Sequence, residues 1–511
     1  MKTAEKRQIR WWPLWIIWGL GVAGILVSTQ FGEEVSRQQG VIRNMAILAF
    51  CLTLSLLWSV SFSRMAWRAR LRVLGFIGLV SVLLVSLFRY EGVSGDLIPI
   101  IKWRWSSADK SETVDVEVEE IAIGGVYQQF LGPTRNATVT GADLTLDWST
   151  NGPKLLWRQR MGEAWSGFAI SGTQAVTQEQ RGDSELVSCY HLLTGEKLWE
   201  SSVSARYDNV LGGVGPRATP AIDGNRVYAV GATGELSCLE LFSGEKLWGL
   251  NILERHGAEL PDWGVAGSPL VHDGLVILSP GGPDGNSLVA YDKFSGSLVW
   301  AAGSDRAHWS SPVVHEIEGE QQVLIFNASG VAAHSVENGS IRWEYPWTRS
   351  KGTPRVAIPV RTTGNRFAIS SGYGAGADLF EVTLSEGPFR AEQVWRSLHL
   401  KAKFNNFVFR DGYLYGLDDG VLTCVDVETG RRAWKQGRYG HGQVILGDRW
   451  LLLMAENGEV ILLDPNPIEV IVLGRFAALK GKTWNPPAMV GPYLLVRNHL
   501  EAACYQLPVS N

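Results

Sequence analysis

A glycine followed four residues later by a tryptophan recurs along the chain, and this repeat restricts the fold more than any other feature. TGEKLW ends at Trp199, SGEKLW at Trp248, SGSLVW at Trp300, NGSIRW at Trp343 and TGRRAW at Trp434. Degenerate copies end at Trp157 (PKLLW) and Trp395 (AEQVW), and a copy without tryptophan, NPIEVIVLGR, lies around Gly474. The spacing runs from 39 residues (Trp395 to Trp434) to 52 (Trp248 to Trp300), the length of one four-stranded propeller blade. Each unit divides into short β-branched runs separated by Gly-containing turns: ATPAI, a DGN turn, RVYAVGA, a TGE turn, LSCLEL, an SGE turn, KLWGL. Eight such sets predict an all-β, eight-bladed β-propeller. The last set, PPAMVGPYLLVRN with EAACYQL, ends at Leu507 without a fourth strand, whereas Lys154 to Arg158 precedes any inner strands. The N-terminal strand is therefore expected to close the last blade, leaving no open ring edge.

The first 90 residues carry a different pattern. Trp11 to Thr29, Met45 to Phe62 and Val73 to Phe88 contain no charged residue. The first two match the roughly 20 apolar residues that span a bilayer as a helix. The third is short, but Arg72 and Arg89 flank it and can snorkel to the headgroups. The expected layout is a three-helix transmembrane anchor in residues 1–90 (helices at about 11–29, 45–62 and 71–89), a tether at 91–125, and the propeller at 126–511. Within the tether, the apolar-aromatic stretch Leu97 to Trp105 suits the membrane interface, and Ser106 to Glu120 is an acidic, solvated linker. Lys2, Lys6, Arg7 and Arg10 precede the first span, and Arg64, Arg68, Arg70 and Arg72 precede the third. By the positive-inside rule both segments are cytoplasmic and the propeller lies outside. The expected location is the inner membrane of a bacterium, multi-pass, with the propeller in the periplasm. A cleaved signal peptide competes for the first span, but it lacks a small-x-small cleavage site and two more spans follow.

The net charge of −4, with both signs interspersed, gives no basic field for nucleic acid. The five cysteines form no CxxC, no adjacent pair and no haem-attachment motif, and read as small core residues.

A Gly-x3-Trp closing each four-stranded unit resembles the tryptophan-docking motif of pyrroloquinoline quinone (PQQ) repeat proteins. That family includes quinoprotein alcohol and glucose dehydrogenases and the propeller lipoprotein of the bacterial outer-membrane assembly machinery. The resemblance covers about Lys154 to Leu507. It implies that Trp157, Trp199, Trp248, Trp300, Trp343, Trp395 and Trp434 are structural, stacking between neighbouring blades. A helical membrane stub before such a propeller is also similar to the membrane-bound quinoprotein glucose dehydrogenase.

A second tryptophan series lies just before the first strands of the units: Trp165, Trp263, Trp309 and Trp484, interleaved with Arg217, Arg355, Lys403 and His441. Glu179 and Arg181 are the nearest candidates for a channel carboxylate and its cation. Aromatic walls with scattered cations at the mouth of an axial channel suit a flat, anionic or conjugated ligand, a peptide strand or a sugar. Repeat geometry alone would also place equivalent packing residues there. Arg217 is expected to be a rim charge, and Trp165 less buried than Trp248.

The resemblance makes PQQ with Ca²⁺ the cofactor to consider, held by carboxylate and amide oxygens beside an Asp base. The chain lacks the adjacent-cysteine disulfide of many alcohol-oxidising members, and no Glu…Asn…Asp set can be matched. Asp262, Asp418 and Asp419 are further carboxylates, although the LDDG run is equally a hairpin turn. SGYGAG (Ser371 to Gly376) has no helix pattern after it and reads as a wide turn rather than a phosphate loop. No metal site is assigned and no cofactor is assured. Two functions stay open: a membrane-tethered binding or assembly module for envelope proteins or polymers, which is favoured, and a PQQ-dependent dehydrogenase oxidising alcohols or sugars and feeding membrane quinone.

Overall fold

The computed structural model describes residues 9–30, 37–105, 112–113, 125–349, 353–384 and 387–510. Lys2, Lys6, Arg7 and all of the acidic linker except Glu112–Thr113 lie outside the described residues. The chain forms two compact units, Met1–Asp109 and Lys110–Asn511.

In the first unit three apolar helices span Trp12–Gln30, Arg37–Leu57 and Trp67–Leu87, the second continuing as a π-helical turn over Trp58–Phe62. By length and composition Arg37–Phe62 and Trp67–Leu87 could each cross a membrane, and Trp12–Ser28 is a shorter apolar helix. The second helix starts at Arg37 rather than near Met45, because Arg43 turns back on the first helix. Its guanidinium donates to the Ser28 hydroxyl and carbonyl, both at 2.8 Å, so polar residues extend a helix that hydropathy alone would shorten. Gly21 lets the first two helices approach closely: a Cβ there would lie 2.6 Å from Cys51 Sγ. In the segment expected to be a tether, Phe88–Val93 and Pro99–Trp103 pair as an antiparallel hairpin.

The second unit is the propeller. Blade 1 runs from Ala169–Ser171 to Lys197–Val203, blade 2 from Ala221–Asp223 to Lys246–Asn251, and blade 3 from Leu270–His272 to Leu298–Ala302. Blade 4 runs from Val313–Ile317 to Ile341–Pro346, blade 5 from Val360–Arg361 to Phe389–Ser397, blade 6 from Val408–Arg410 to Arg432–Arg438, and blade 7 from Gln443–Leu446 to Ile471–Ala477. In blade 8 the strands Ala488–Val490, Tyr493–Arg497 and Glu501–Gln506 are completed by the N-terminal strand Lys154–Arg160, with Cys504 opposite Trp157. That pairing closes the ring, and Glu112–Thr113 add a short outer strand on the other side of Lys154–Arg160.

The blades lock together through the repeat itself. Trp157 donates its indole N–H to Leu192 O at 2.7 Å, Trp199 to Leu241 O at 2.7 Å, and Trp300 to Val336 O at 2.9 Å. Trp248, Trp395 and Trp434 bond in the same way to the carbonyls of Lys293, Val427 and Asn466. Each acceptor belongs to the following blade. The repeat glycine of that blade lies against the ring: a Cβ on Gly195 would meet Trp157 at 2.6 Å, and one on Gly244 would meet Trp199 at 2.5 Å. The glycine thus serves the preceding tryptophan rather than its own. Trp343 departs from this pattern. Blade 5 has Ala391 where the glycine would stand, and Trp343 bonds Gln322 Oε1 at 2.7 Å and packs on Phe367 and Phe380.

A polar ring joins the inner strands. Gly167 N–H donates to Thr219 Oγ1, Thr219 N–H to Ser268 Oγ, and Ser268 N–H to Ser311 Oγ. Ser310 Oγ then donates to Ala357 O, and Ile358 N–H to Asn406 Oδ1. Gln443 bridges the carbonyls of Phe404 and Trp484, and Asn485 returns to those of Ala164 and Ser166. Backbone groups that eight short inner strands leave unpaired are met in this way.

The segment before the closing strand threads through the unit. Tyr127 pairs with Ile170 of blade 1, Arg135 reaches blade 3, and Val139 N–H bonds Leu446 O of blade 7. Trp148 then packs where blade 7 lacks its own tryptophan. Gly474 sits opposite Leu462, the register that Trp434 takes opposite Cys424, and a Cβ on Gly474 would meet the Trp148 ring at 2.7 Å.

Candidate functional site

The loops that enter the inner strands all open at one end of the ring, because consecutive blades are related by the same repeat. Trp165, Arg217, Trp309, Phe404 and Trp484 each lie four residues before an inner strand (which begin at Ala169, Ala221, Val313, Val408 and Ala488). Their neighbours tie these loops together: Trp165 N–H bonds Pro216 O at 2.9 Å, and Trp309 N–H bonds Arg355 O at 3.0 Å.

The structure brings the four tryptophans into one aromatic cluster. Ring centroids are 4.9 Å apart for Trp165 and Trp484, 4.8 Å for Trp263 and Trp309, 5.0 Å for Phe404 and Trp484, and 5.9 Å for Trp263 and Phe404. Phe404 of blade 6 therefore links the loop before blade 3 to the loop before blade 8. His441 stands edge-on to Phe404 at 5.9 Å, and His499 stacks on Trp165 at 5.2 Å. Cations lie over ring faces: Lys403 Nζ is 4.5 Å from the Tyr373 centroid and 5.4 Å from that of Phe404. Lys482 Nζ is 4.2 Å from Trp484 and 4.8 Å from Trp165. Burial pulls the Lys482 ammonium down to about 8 against the opposing effect of Glu456. Burial, with Arg355 and Arg306 nearby, holds His308 neutral at about 4.

Two residues differ from the roles expected of them. Trp165 is buried at 8% exposure, with its indole N–H on Gly212 O at 2.8 Å, whereas Trp248 is only half-buried. Aromatic stacking at the channel end covers Trp165 more fully than docking covers Trp248. Arg217 is not a rim charge. Its guanidinium donates to the carbonyls of Gly212 and Gly213 at 2.9 Å and to that of Gly215, and stacks 4.5 Å from the Tyr207 centroid. It braces the Gly212–Gly215 turn against which Trp165 rests.

Glu179 and Arg181 pair with each other within blade 1. Glu179 Oε2 accepts from Arg181 at 2.8 Å and from Gly162 N–H at 2.7 Å, and Oε1 accepts from Tyr190 at 2.5 Å. Burial raises the Glu179 carboxyl, but Arg497, Tyr190 and Arg181 together hold it below its usual range. Asp418 is neutralised by Lys401 at 2.5 Å and Lys435 at 2.6 Å, and the Asp262 side chain is exposed. Asp419 and Gly420, at φ +50° and +84°, form the tight turn that the LDDG run suggests. Phe404, Lys482, Glu456, Tyr373 and His499 escaped the sequence reading. Phe404 alone was findable, since it shares the four-residue offset of Trp165, Trp309 and Trp484.

A quinone with calcium needs an open aromatic slot and an uncommitted carboxylate beside it. Here the rings close on one another in tilted and edge-on contacts. Glu456 accepts from Trp484 Nε1 and from His441 N–H, both at 3.0 Å, and Glu179 and Asp418 are engaged as described. With these rings in contact and Glu456, Glu179 and Asp418 engaged, the cluster offers that cofactor no open slot among the described residues, and no chemical step is derived through it.

The family described as outer membrane protein assembly factor BamB matches this chain over residues 134–262 and 183–436. Among solved structures, BamB from Moraxella catarrhalis superposes with a TM-score of 0.51 at 14% identity, covering 70% of this chain and 100% of that one. The quinohemoprotein alcohol dehydrogenase from Comamonas testosteroni superposes with a TM-score of 0.53 at 11% identity, covering 76% and 82%. At these identities the structural likeness shows the fold alone. No match is found among curated protein sequences.

Proposed function

The chain belongs to the family of outer membrane protein assembly factor BamB, and from that premise we propose that its propeller is a binding module acting in assembly at the bacterial envelope. The apolar N-terminal helices tether it to the inner membrane, on the periplasmic side. The observation that carries this reading is the channel-end cluster: Trp165, Trp484, Phe404, Trp263 and Trp309 in mutual ring contact, with Lys403 and Lys482 over aromatic faces and Glu456 engaged by Trp484 and His441. Aromatic anchors beside cations supply large contact area at small conformational cost and attract acidic or carbonyl-rich chain segments, which suits a protein partner.

The test has two arms. A photo-cross-linking amino acid at Trp309, in protein retained in native membranes, should give a discrete protein adduct that weakens in a Trp484→Ala background and is missing when the probe stands at the exposed outer-strand position Glu344. The purified full chain, titrated with PQQ and Ca²⁺ and assayed for dye reduction with alcohols and sugars, should show neither saturable absorbance change nor turnover. Saturable cofactor binding with turnover would replace this proposal by the dehydrogenase.

A further inference from the structure

The segment that threads the propeller before its closing strand holds a buried charge with no counter-charge. Arg135 is 2% exposed. Its Nη1 donates to Gln129 Oε1 at 3.1 Å and Pro269 O at 3.0 Å, and its Nη2 donates to Ser268 O at 3.1 Å. All three acceptors are neutral, Nε has no acceptor, and among the described residues no carboxylate pairs with this guanidinium. Desolvation alone pulls it down to about 9, with no acidic neighbour to oppose the shift. Carbonyl dipoles orient a buried cation but do not neutralise it, so such a site is costly until an anion lies nearby.

A cleft of about 430 Å³ opens beside Arg135, between the 129–136 segment and the inner strands of blades 3, 4 and 5. That size suits a small molecule. Its wall also carries His272, His315 and Arg361, against one carboxylate, Glu316, which is exposed. His315 Nε2 is buried without a hydrogen-bond partner. Arg361 is held in place by its bonds to Glu316 O at 2.9 Å and Gly364 O at 2.8 Å, so its charge is fixed at the cleft rather than swinging in solvent.

We infer that this cleft is a binding site for a small ligand bearing an oxyanion, carboxylate or phosphate, beside a hydroxyl group: its charge answers Arg135 and Arg361, and its hydroxyl donates to His315 Nε2. The cleft shares no residue with the channel-end cluster, so the two sites can be tested separately.

Isothermal titration of the full-length protein in detergent with inorganic phosphate, and separately with citrate, tests it at constant ionic strength set by sodium chloride, so that screening does not imitate binding. At least one anion should give saturable heat in the millimolar range or below, and which one does so distinguishes a phosphate from a carboxylate ligand. Arg361→Gln and His315→Gln should each weaken that affinity by about tenfold. Arg135→Met should abolish binding without lowering the melting temperature. Should that variant fail to fold, the other two decide. Absence of saturable heat with both anions, or wild-type affinity in Arg361→Gln and His315→Gln together, would overturn the inference.

Discussion

Single residues in this propeller are governed by what surrounds them rather than by their place in the repeat. Trp157 is 1% exposed and Trp165 is 8% exposed, yet one docks between blades and the other stacks at the channel end. Trp157→Ala and Trp165→Ala should each cost roughly 3–5 kcal/mol, the range for deleting a buried large aromatic. Trp248→Ala, at a half-buried site, should cost clearly less. Denaturant midpoints and slopes of the full-length variants check this ordering. Glu185 is a second case. Its carboxyl is 3% exposed between blades 1 and 2, with Oε1 accepting from Ala232 N–H at 3.0 Å and Oε2 lacking a partner. Burial raises it to about 7. The folded protein therefore holds this proton more tightly than the unfolded chain, and the associated stability is full below about pH 4.5 and is lost as pH rises through 7. Glu185→Gln should match the wild type in stability near pH 4 and exceed it at pH 8 by up to about 3 kcal/mol. Melting temperatures across that range, read as the difference between the two proteins, provide the test, and a pH-independent difference would exclude the titration.

At the scale of elements, the N-terminal segment closes the ring by two devices. Strand pairing of Lys154–Arg160 with Glu501–Gln506 completes blade 8, and Trp148 fills the place that Gly474 leaves empty in blade 7. Trp148 is 8% exposed, and its indole N–H has no partner. Its contribution is therefore packing rather than hydrogen bonding. Trp148→Ala should lose roughly 3–5 kcal/mol of stability, while Trp148→Phe should keep most of it. Equal losses in the two variants would show that the indole shape itself, and not filled volume, holds the junction. The closing strand was legible in the sequence because an unpaired Trp copy stood at one end of the propeller and a three-stranded set at the other. Trp148 was not: no glycine stands four residues before it, and its contact is set by a register 326 residues away (474 − 148).

For the whole molecule, the proposed topology makes a separate prediction. Alkaline phosphatase fused after about residue 125 should be active outside the cytoplasm, and a fusion in the loop near Arg68 should be inactive, since the enzyme needs an oxidising compartment. The reverse pattern would overturn the orientation proposed for the anchor. Fusion activity reports on the membrane arrangement without depending on either candidate binding site.

Blade number, strand order and ring closure followed from the sequence because each rests on local periodicity repeated eight times, and repetition averages out the ambiguity of any one copy. The aromatic series before the inner strands was visible for the same reason, since a fixed offset from a predicted strand fixes the end of the ring at which a residue emerges. Tertiary structure alone decided what those residues touch. Arg217 became a brace for three carbonyls and Phe404 the link between opposite loops, while Lys482 came to rest between two indoles. Glu179 spent its charge within the protein, and Arg135 was buried without an anion. Phe404, Lys482 and Arg135 depend on contacts between segments far apart in the chain, while Arg217 and Glu179 find near neighbours only because burial folds the loop or strand onto them; local sequence does not name the partner that burial will supply.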